Sequence, residues 1–190
     1  MCDESPGSRF RCQVRFTSFK NESSKFSSLL HQQPTQQQNS PPSFPLSRRM
    51  DDTQNTWQMP QGGIDQYENP LVAAVRELRE ETGMQSVRIV SSIDRWLHYE
   101  MATKVRCHAT GNIVRYRGQT QKWLLMHFHG SDDEIDISCH GHPEFSEWRW
   151  MRLEELPHSV VEFKKGVYQA VAEHFTPLVQ RMAGNGRRLV

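Results

Sequence analysis

The chain has 190 residues, of which 36% are hydrophobic and 24% charged, and its formal net charge is +1. That length suits one domain with a tail better than two domains, and no apolar run reaches the roughly 20 residues that a membrane helix needs. A near-neutral charge argues against a dedicated duplex-DNA binder, which carries a clustered basic excess. The four cysteines have no repeated spacing, so a reducing compartment is expected rather than a disulfide framework.

The first 46 residues differ in composition from the rest of the chain. They contain nine Ser, six Gln and five Pro, but only three acidic residues. Such a segment buries too little apolar area to offset the entropy of ordering it, so we predict a disordered leader over residues 1–46. A Ser-rich, acid-poor leader also fits a transit peptide for a chloroplast or mitochondrion. The alternative is a tail that carries no targeting signal on a cytoplasmic protein. Arg9–Phe16 alternates polar and apolar residues as a half-buried strand does, but no turn or partner segment lies nearby.

After the leader, short apolar segments alternate with turn residues, which predicts a folded domain over residues 47–183 and a short tail over 184–190. Its first predicted element is a helix. Asn69–Pro70 has the residues of an N-cap and a first helical position, and Gly83 supplies a C-terminal stop. The residues expected to face the core recur at helical spacing: Leu71, Val75 and Leu78.

Strand-like runs rich in β-branched and aromatic residues follow this helix. They lie at Val87–Ile93, Trp96–Met101, Trp123–His129 and Glu147–Met151. A last amphipathic helix is predicted over Val161–Met182, and Pro177 is expected to kink it or end it early. Strands interleaved with two or three helices predict a small sandwich of the α/β or α+β class.

The polar side of the first helix carries an unusual concentration of negative charge. Glu77, Glu80 and Glu81 lie within about a third of the helix circumference. Carboxylates so close together repel one another, and Mg²⁺, which prefers oxygen ligands and substrate phosphates, would relieve that repulsion. Arg76 can orient one of the acids through a bidentate pair. The alternative is a solvated charged face, since Glu and Arg are good helix formers.

The residues around the acids resolve this choice. Five residues separate Gly62 from Glu68, and seven more precede the run Arg76-Glu77-Leu78-Arg79-Glu80-Glu81-Thr82-Gly83-Met84. This spacing resembles the signature of the Nudix hydrolases at every fixed position. The resemblance implies a mixed β-sheet between α-helices. It also implies hydrolysis of a nucleoside diphosphate linked to another group, with Mg²⁺ as cofactor and Mn²⁺ as a substitute.

Segments outside the signature resemble one branch of that family. The matching runs are Trp57–Ile64, Gly118–Trp123, Pro143–Phe145 and Phe163–Lys165. The branch contains plant and bacterial asymmetric diadenosine tetraphosphate hydrolases and the bacterial RNA pyrophosphohydrolases, and the resemblance is strongest to the plant enzymes.

The resemblance implies roles for the acidic residues and the glycine loop. Arg76 orients the carboxylates, and Gly62, Gly63 and Glu68 form the loop. The implied metal-binding and catalytic glutamates are Glu77, Glu80, Glu81 and Glu144. A carboxylate near a metal-bound water can take its proton, and Glu80, Glu81 and Glu144 stay open as the general base. For Glu144 the alternative is an exposed turn acid that follows Pro143.

The resemblance also implies a set of substrate-binding residues: Arg48, Arg49, Gln58, Gln119, Lys122, Phe163 and Lys164. Lys122 matches a phosphate-binding lysine and Gln119 its polar neighbour, because a polyphosphate needs cationic donors alongside the metal. Phe163 matches a position that stacks an adenine or RNA base, with Lys164 beside it; the alternative is a core aromatic. Gln58 lines the entrance or lies on an exposed strand.

A zinc site built from Cys and His is also conceivable, and we reject it. The candidates are Cys107, His108, Cys139, His140 and His142. Their spacing matches no paired-ligand pattern. His127 and His129 alternate on a predicted strand and are interpreted as polar-face residues or as residues whose hydrogen bonds are satisfied within the protein.

The chain departs from this branch at its N-terminal strands. Members begin with a Gly-Tyr-Arg-like run and two strands that lead into an Arg-Arg pair, whereas here the Gln/Pro-rich leader directly precedes Ser47 and Arg48–Arg49. We expect these strands to be missing or replaced. Arg9–Phe16 could replace one of them, although the long loop this requires counts against it.

The leading functional expectation is asymmetric cleavage of diadenosine tetraphosphate to AMP and ATP. The alternative enzyme removes pyrophosphate from RNA 5′-triphosphates or from guanosine tetraphosphate. A rival of another class is an inactive or regulatory nucleotide-binding isoform, motivated by the missing strands. The expected partners are nucleotides or an RNA 5′ end, with neither duplex DNA nor a membrane, and the sequence does not specify an oligomeric state.

Overall fold

The computed structural model describes residues 10–19, 43–50, 56–106, 113–139 and 144–185. Within those ranges the strands are β1 (Phe10–Phe19), β2 (Ser43–Arg49), β3 (Gln61–Gly63), β4 (Val87–Ser92), β5 (Leu97–Arg106), β6 (Ile113–Phe128) and β7 (Phe145–Arg152). The α-helices are α1 (Pro70–Thr82), α2 (Leu156–Ser159) and α3 (Lys165–Asn185). The strands predicted after the first helix are thus present as β4 to β7, with β5 and β6 longer than predicted. No helix in these ranges is long and apolar enough to span a membrane.

Strand β6 is the centre of a five-stranded mixed sheet. β1 pairs with it in parallel, from Phe10 opposite Gly118 to Phe19 opposite His127. β5 and β4 pair with β6 in antiparallel orientation, and β3 pairs antiparallel with β1.

Alternating residues of β6 serve two hydrophobic clusters. One cluster contains Trp123 and Leu125 together with residues of α3, and the other contains Leu124, Met126 and Phe128 together with residues of α1. Because the strand is buried on both faces, its side chains are nearly all apolar from position 123 to 128. This arrangement confirms the predicted mixed sheet between helices.

The two N-terminal strands are replaced rather than missing. β1 includes most of the alternating segment Arg9–Phe16, and its backbone pairs with β6 on one side and β3 on the other. β2 forms a separate antiparallel ribbon with β7. The prediction of a disordered leader is therefore corrected for Phe10–Phe19 and Ser43–Leu46, because distant strands supply the hydrogen-bond partners that no nearby segment offers. Residues 1–9 and 20–42 lie outside the described residues.

The folded region thus begins upstream of the boundary predicted at residue 47. Phe44 and Leu46 of β2 are fully buried in the larger hydrophobic cluster, where Met59 and Phe175 are also fully buried. At the other end, α3 continues to Asn185 and includes the first residues of the predicted tail.

Helix α1 has the predicted ends but a different buried face. The Asn69 side chain accepts a hydrogen bond from the Leu71 backbone N–H, and Gly83 ends the helix in the left-handed conformation with φ of 73°. The predicted stripe is wrong at Leu71 and Val75, which are exposed, although Leu78 is fully buried. Small residues on the adjacent face explain this, because burying Ala73 and Ala74 lets the helix lie close to the sheet.

The C-terminal helical region also differs from its prediction. Instead of one helix over Val161–Met182, α2 precedes a 3₁₀ turn at Glu162–Lys164, and α3 follows. Pro177 lies inside α3 and does not end it. Burial of Phe175 and Val179 on either side of the proline stabilises the continued helix against the lost backbone hydrogen bond.

Leu46→Ala is expected to lower the free energy of unfolding by about 3 kcal/mol, the usual cost of truncating a buried leucine. Urea denaturation followed by circular dichroism measures this change. Met50→Ala is the matched control, because Met50 is 63% exposed just beyond the same strand and should change stability by less than about 0.5 kcal/mol. Equal effects at both positions would contradict a folded β2.

Candidate active site on helix α1

Arg76 lies at the centre of the acidic cluster on α1. Its Nη1 donates to Glu77 Oε1 at 2.8 Å and to Glu80 Oε2 at 3.2 Å. Its Nε and Nη2 donate to the two carboxylate oxygens of Glu68 at 2.9 and 2.8 Å, and Nη2 also donates to the Gly63 carbonyl at 3.1 Å. The bidentate pair with Glu68 has the fork geometry that a guanidinium favours. Arg76 and Glu68 therefore lie where their predicted orienting and loop-holding roles require, and the roles themselves stay predictions.

The glycine loop lies directly over the glutamates of α1. The Gln61 backbone N–H donates to Glu81 Oε2 at 2.8 Å. Gly62 is so close to Glu77 that an added Cβ would lie 1.8 Å from Glu77 Cδ, whereas a Cβ at Gly63 would meet no atom within 4 Å. Glycine at position 62 is thus a steric requirement for the way Glu77 packs.

The pKa values of Glu68 and Glu77 shift in opposite directions. Hydrogen bonds, first from the Arg76 side chain and then from the Asp65 backbone, lower the pKa of Glu68 from 4.5 to about 2. Burial raises the pKa of Glu77; the hydrogen bond from Arg76 opposes this rise, and the charge of Glu80 adds to it. The hydrogen bond to Glu68 is also the largest cause that raises the pKa of Arg76. Because burial disfavours the ionised form of Glu77, additional positive charge nearby would stabilise that form.

Glu68→Gln is expected to remove a pH-dependent part of the stability. Because the folded pKa of Glu68 is lower than its usual value of 4.5, its contribution is present above pH 4.5 and is lost as the pH falls toward 2. The difference in unfolding free energy between wild type and variant should thus be constant near neutral pH and narrow below pH 4.5. Urea denaturation at several pH values measures it, with Glu173→Gln on the exposed side of α3 as control. A difference that stays constant down to pH 3 would contradict the lowered pKa.

The donor set of the cluster fits a hard divalent cation. Three carboxylates, those of Glu68, Glu77 and Glu80, share the guanidinium of Arg76, so these four side chains together carry more negative than positive charge. Glu81, next along α1, accepts the hydrogen bond from Gln61 of the loop. Oxygen donors with excess negative charge are what Mg²⁺ prefers. Across the described ranges, no three acidic, His or Cys side chains are already close enough together to hold a metal ion, and Glu77 and Glu80 turn toward Arg76 instead. Glu77, Glu80 and Glu81 are therefore gathered at one helix and its loop, but they do not form a finished coordination shell.

Glu144 lies at the start of β7 rather than on the helix. Its Oε2 accepts a hydrogen bond from Arg49 Nη1 at 3.0 Å, and its carbonyl accepts one from the Met50 backbone N–H at 3.0 Å. The side chain is 55% exposed. Glu144 and Arg49, predicted separately as an acid and as a substrate contact, thus form one ion pair.

A second group of predicted residues comes together beside β5. The Phe163 ring is 43% exposed and lies 5.3 Å from the Tyr99 ring, and Lys164 Nζ lies 6.0 Å from both ring centroids. Lys164 Nζ also donates to Gln58 Oε1 at 3.2 Å. We call Gln58, Tyr99, Phe163 and Lys164 the aromatic shelf. The alternative interpretation of Phe163 as a core aromatic does not hold, since the residue is exposed, and its base-stacking role stays a prediction.

Gln58 contributes a buried donor to the shelf. An ammonium group can only donate, so the contact with Lys164 places Oε1 toward Lys164 and leaves Nε2 on the other side of the amide. Nε2 is buried and has no hydrogen-bond partner among the described residues. An unpaired buried donor costs free energy, and a ligand acceptor would remove that cost. Gln58 therefore offers a buried N–H donor that a ligand could use.

Gln119 and Lys122 do not join the Arg76 cluster. Gln119 is buried, and its Oε1 accepts hydrogen bonds from the Tyr99 hydroxyl and from Gln121 Nε2, which makes it a support of the shelf. The substrate-binding role predicted for Gln119 as the polar neighbour of Lys122 stays a prediction. Lys122 Nζ donates to the Asp94 carbonyl at 2.8 Å, and Arg48 pairs with Glu147.

Tyr99 is the shelf residue that the sequence-based prediction missed. Its signal was available, because Leu97, Tyr99 and Met101 alternate with polar residues along a predicted strand and are therefore expected on one face. Of the proposed zinc ligands, Cys139 is exposed, while Cys107, His108, His140 and His142 lie outside the described residues. The rings of His127 and His129 stack at 6.3 Å.

The mixed sheet and the glutamate-rich helix under a glycine loop together define a Nudix hydrolase, a class that acts on pyrophosphate bonds. Residues 35–171 match the model of the NUDIX domain, and the chain belongs to that family. An RNA pyrophosphohydrolase of Pelagibacter ubique is 46% identical over 130 residues, which cover 67% of this chain and 79% of that protein. An RNA pyrophosphohydrolase of Wolbachia sp. subsp. Drosophila simulans is 42% identical over 129 residues, covering 68% and 78%.

Among solved structures, an Ap4A hydrolase of C. elegans in a binary complex is similar in fold. The TM-score is 0.56 at 16% sequence identity, and the match covers 88% of this chain and 98% of that one. At this identity the likeness concerns the fold alone. Both sequence relatives above are bacterial, so they give no support to a plant origin, and the transit peptide and organelle location stay predictions.

Proposed function

We propose that this protein removes pyrophosphate from the 5′-triphosphate of RNA and leaves a 5′-monophosphate, with Mg²⁺ as cofactor. The observation that carries the proposal is that residues 35–171, the NUDIX match, contain both the Arg76 cluster and the aromatic shelf. Relatives 42–46% identical to this chain are named RNA pyrophosphohydrolases. This order reverses the expectation from the motifs, in which diadenosine tetraphosphate came first.

Each residue of the Arg76 cluster has a separate role in the proposed reaction. Bound Mg²⁺, held by Glu77, Glu80 and Glu81, would acidify water and neutralise phosphate charge. Arg76 keeps the carboxylates of Glu77 and Glu80 on one side of the helix, which limits the motion needed for them to act together. Water adds to the α-phosphorus, the bond to the bridging oxygen breaks, pyrophosphate leaves, and the proton of the water passes to a nearby carboxylate. Glu80, Glu81 and Glu144 remain the candidates for that proton acceptor.

The shelf supplies base recognition away from the phosphates. Phe163 offers an exposed ring face for stacking, and Lys164 places a positive charge beside it. The unpartnered Nε2 of Gln58 can donate to a ring nitrogen or carbonyl of the base. Stacking and one buried donor together favour a nucleotide over an inorganic polyphosphate.

The direct test uses purified protein and three substrates: 5′-triphosphorylated RNA, diadenosine tetraphosphate and guanosine tetraphosphate. Products are resolved by chromatography with Mg²⁺, with Mn²⁺ and with excess chelator. We expect pyrophosphate from RNA, dependence on the divalent ion, and a higher kcat/KM for RNA than for the other two. AMP plus ATP as the dominant products would favour the second candidate, asymmetric cleavage of diadenosine tetraphosphate, whose supporting observation is that the runs outside the Nudix signature resemble the plant hydrolases most strongly. Binding without turnover of any substrate would favour a regulatory nucleotide-binding protein.

Phe163→Ala is expected to raise KM for triphosphorylated RNA by about tenfold with little change in kcat, because base stacking on an aromatic is worth ~1–3 kcal/mol. Trp96→Ala is the matched control, since Trp96 is another aromatic of similar exposure, 41% against 43%, and lies outside the shelf. Steady-state kinetics on both variants measure the effect. Equal KM changes in the two variants would remove the shelf from substrate binding.

A further inference from the structure

A polar cavity lies at the end of the ribbon formed by β2 and β7. Directly opposed residues of such a ribbon share a face, and Leu46 lies opposite Arg149 while Arg48 lies opposite Glu147. The buried side of the ribbon therefore changes from apolar to charged along its length. The cavity that begins there has a volume of about 520 Å³, and its lining includes Arg48, Trp57, Glu147, Arg149, His158 and Ser159.

Arg149 is the distinctive group of the polar cavity. Its guanidinium carbon lies 4.0 Å from the centre of the Trp57 ring, so the cation stacks on the indole face. A stacked guanidinium keeps the N–H groups of its edge available for an anion. Among the described residues, no carboxylate lies within ion-pair distance of Arg149, whereas Arg48 pairs with Glu147 at 3.1 Å. The charged side chains that line the cavity, Arg48, Arg149 and Glu147, therefore carry a net positive charge.

The cavity and the aromatic shelf share one segment of backbone. Trp57 and Gln58 are consecutive residues; Trp57 stacks with Arg149 in the cavity, while Gln58 contacts Lys164 in the shelf. The segment is fixed from both sides, because the Trp57 N–H donates to the Ser159 carbonyl at 2.8 Å and Gln58 pairs with Ser47. A ligand whose base lies on the shelf and whose chain continues past this segment would reach the cavity.

We propose that the cavity binds a backbone phosphodiester of the RNA that lies beyond the one directly following the base on the shelf, with Arg149 as the principal contact. A dinucleotide has one phosphodiester and therefore cannot supply this contact. This inference rests on the proposed function and extends it to a substrate longer than one nucleotide. A phosphodiester is a single negative charge with two free oxygens, which the two N–H groups on one guanidinium edge can bind together. Diadenosine tetraphosphate has no phosphodiester beyond its polyphosphate, so the cavity selects for RNA.

The test compares 5′-triphosphorylated RNAs of two and eight nucleotides that share their 5′ sequence. For the wild type, we expect KM to be about five- to tenfold lower for the octamer. Arg149→Gln should abolish that difference and leave kcat and the KM of the dinucleotide unchanged. It should also remove about one phosphate contact from octamer binding, which lowers the slope of log binding constant against log salt concentration by roughly 0.7. Arg152→Gln is the matched control, because Arg152 lies on the same strand but pairs with Glu155.

Binding of a 5′-hydroxyl octamer, followed by fluorescence anisotropy, separates this inference from the proposed function. If triphosphorylated RNA is not hydrolysed but the octamer binds in an Arg149-dependent way, the cavity assignment holds and the proposed reaction fails. Equal KM values for the two RNA lengths in the wild type would overturn the cavity assignment. So would an Arg149→Gln variant that weakens both lengths equally, or competition by millimolar inorganic phosphate that is as strong as competition by RNA.

Discussion

Glu80→Gln is expected to lower kcat by about 10³-fold while the protein stays folded. Loss of a carboxylate that holds the metal or accepts a proton typically costs 10²- to 10⁴-fold. The side chain of Glu80 is 47% exposed and makes one of several contacts to Arg76, so its replacement by an amide of the same size should change stability little. Steady-state kinetics over a range of Mg²⁺ concentrations, together with a thermal melt, measure both effects.

Glu154→Gln is the matched control for this variant, because Glu154 is an exposed acid in the turn after β7. Its kcat should equal that of the wild type. If Glu80→Gln keeps more than a tenth of the wild-type kcat at saturating Mg²⁺, the acidic face of α1 is not the catalytic centre. The helix would then carry a solvated charged face, the alternative considered for it from the sequence.

Gly62→Ala is expected to lower kcat by about 10²-fold, although the change adds only one methyl group. The added Cβ would lie 1.8 Å from Glu77 Cδ and 2.0 Å from Glu77 Oε2, so either the carboxylate or the loop must move. Movement of Glu77 breaks its contact with Arg76, and movement of the loop withdraws the Gln61 N–H from Glu81. Both responses disturb the carboxylates, and small displacements of positioned groups cost much of the rate.

Gly63→Ala differs from Gly62→Ala by one position and should lose far less activity, because its Cβ would enter open space. Gly166→Ala, also in open space and near the start of α3, should leave kcat unchanged. Measuring kcat and thermal stability for the three variants separates a site effect from a general cost of losing glycine. Similar losses at positions 62 and 63 would contradict the packing of Glu77 beneath the loop.

Residues close together in the chain account for what could be predicted. Helix α1 carries its own start and end signals in Asn69, Pro70 and Gly83, and Glu77, Glu80 and Glu81 share a face by helical spacing alone. The contact between Arg76 and Glu68 spans eight residues, a separation covered by the family signature. Helical spacing did not predict which of two apolar faces of α1 is buried. The helix buries Ala73 and Ala74, whereas Leu71 and Val75 are exposed.

Contacts between distant segments were beyond such reasoning. β1 pairs with β6 across about a hundred residues of chain, so the alternating pattern at residues 9–16 could not identify its partner. The motif predicts Gln119 as a polar neighbour of Lys122, but it does not predict that the Gln119 side chain is buried and hydrogen-bonded to Tyr99 and Gln121. A motif places a residue in a family pattern, whereas burial and hydrogen bonding depend on what packs against it.

The sequence by itself determined the class of chemistry, because the spacing of the acids, Arg76 and the glycine loop is encoded within about twenty consecutive residues. Only the tertiary structure decided how the substrate is surrounded. Lys164 meets Gln58 across 106 residues, Tyr99 joins Phe163 from another strand, and Arg149 stacks on Trp57 from β7. These pairs form because the sheet and α3 bring separate strands and turns to one side of the core, which periodicity and spacing do not specify.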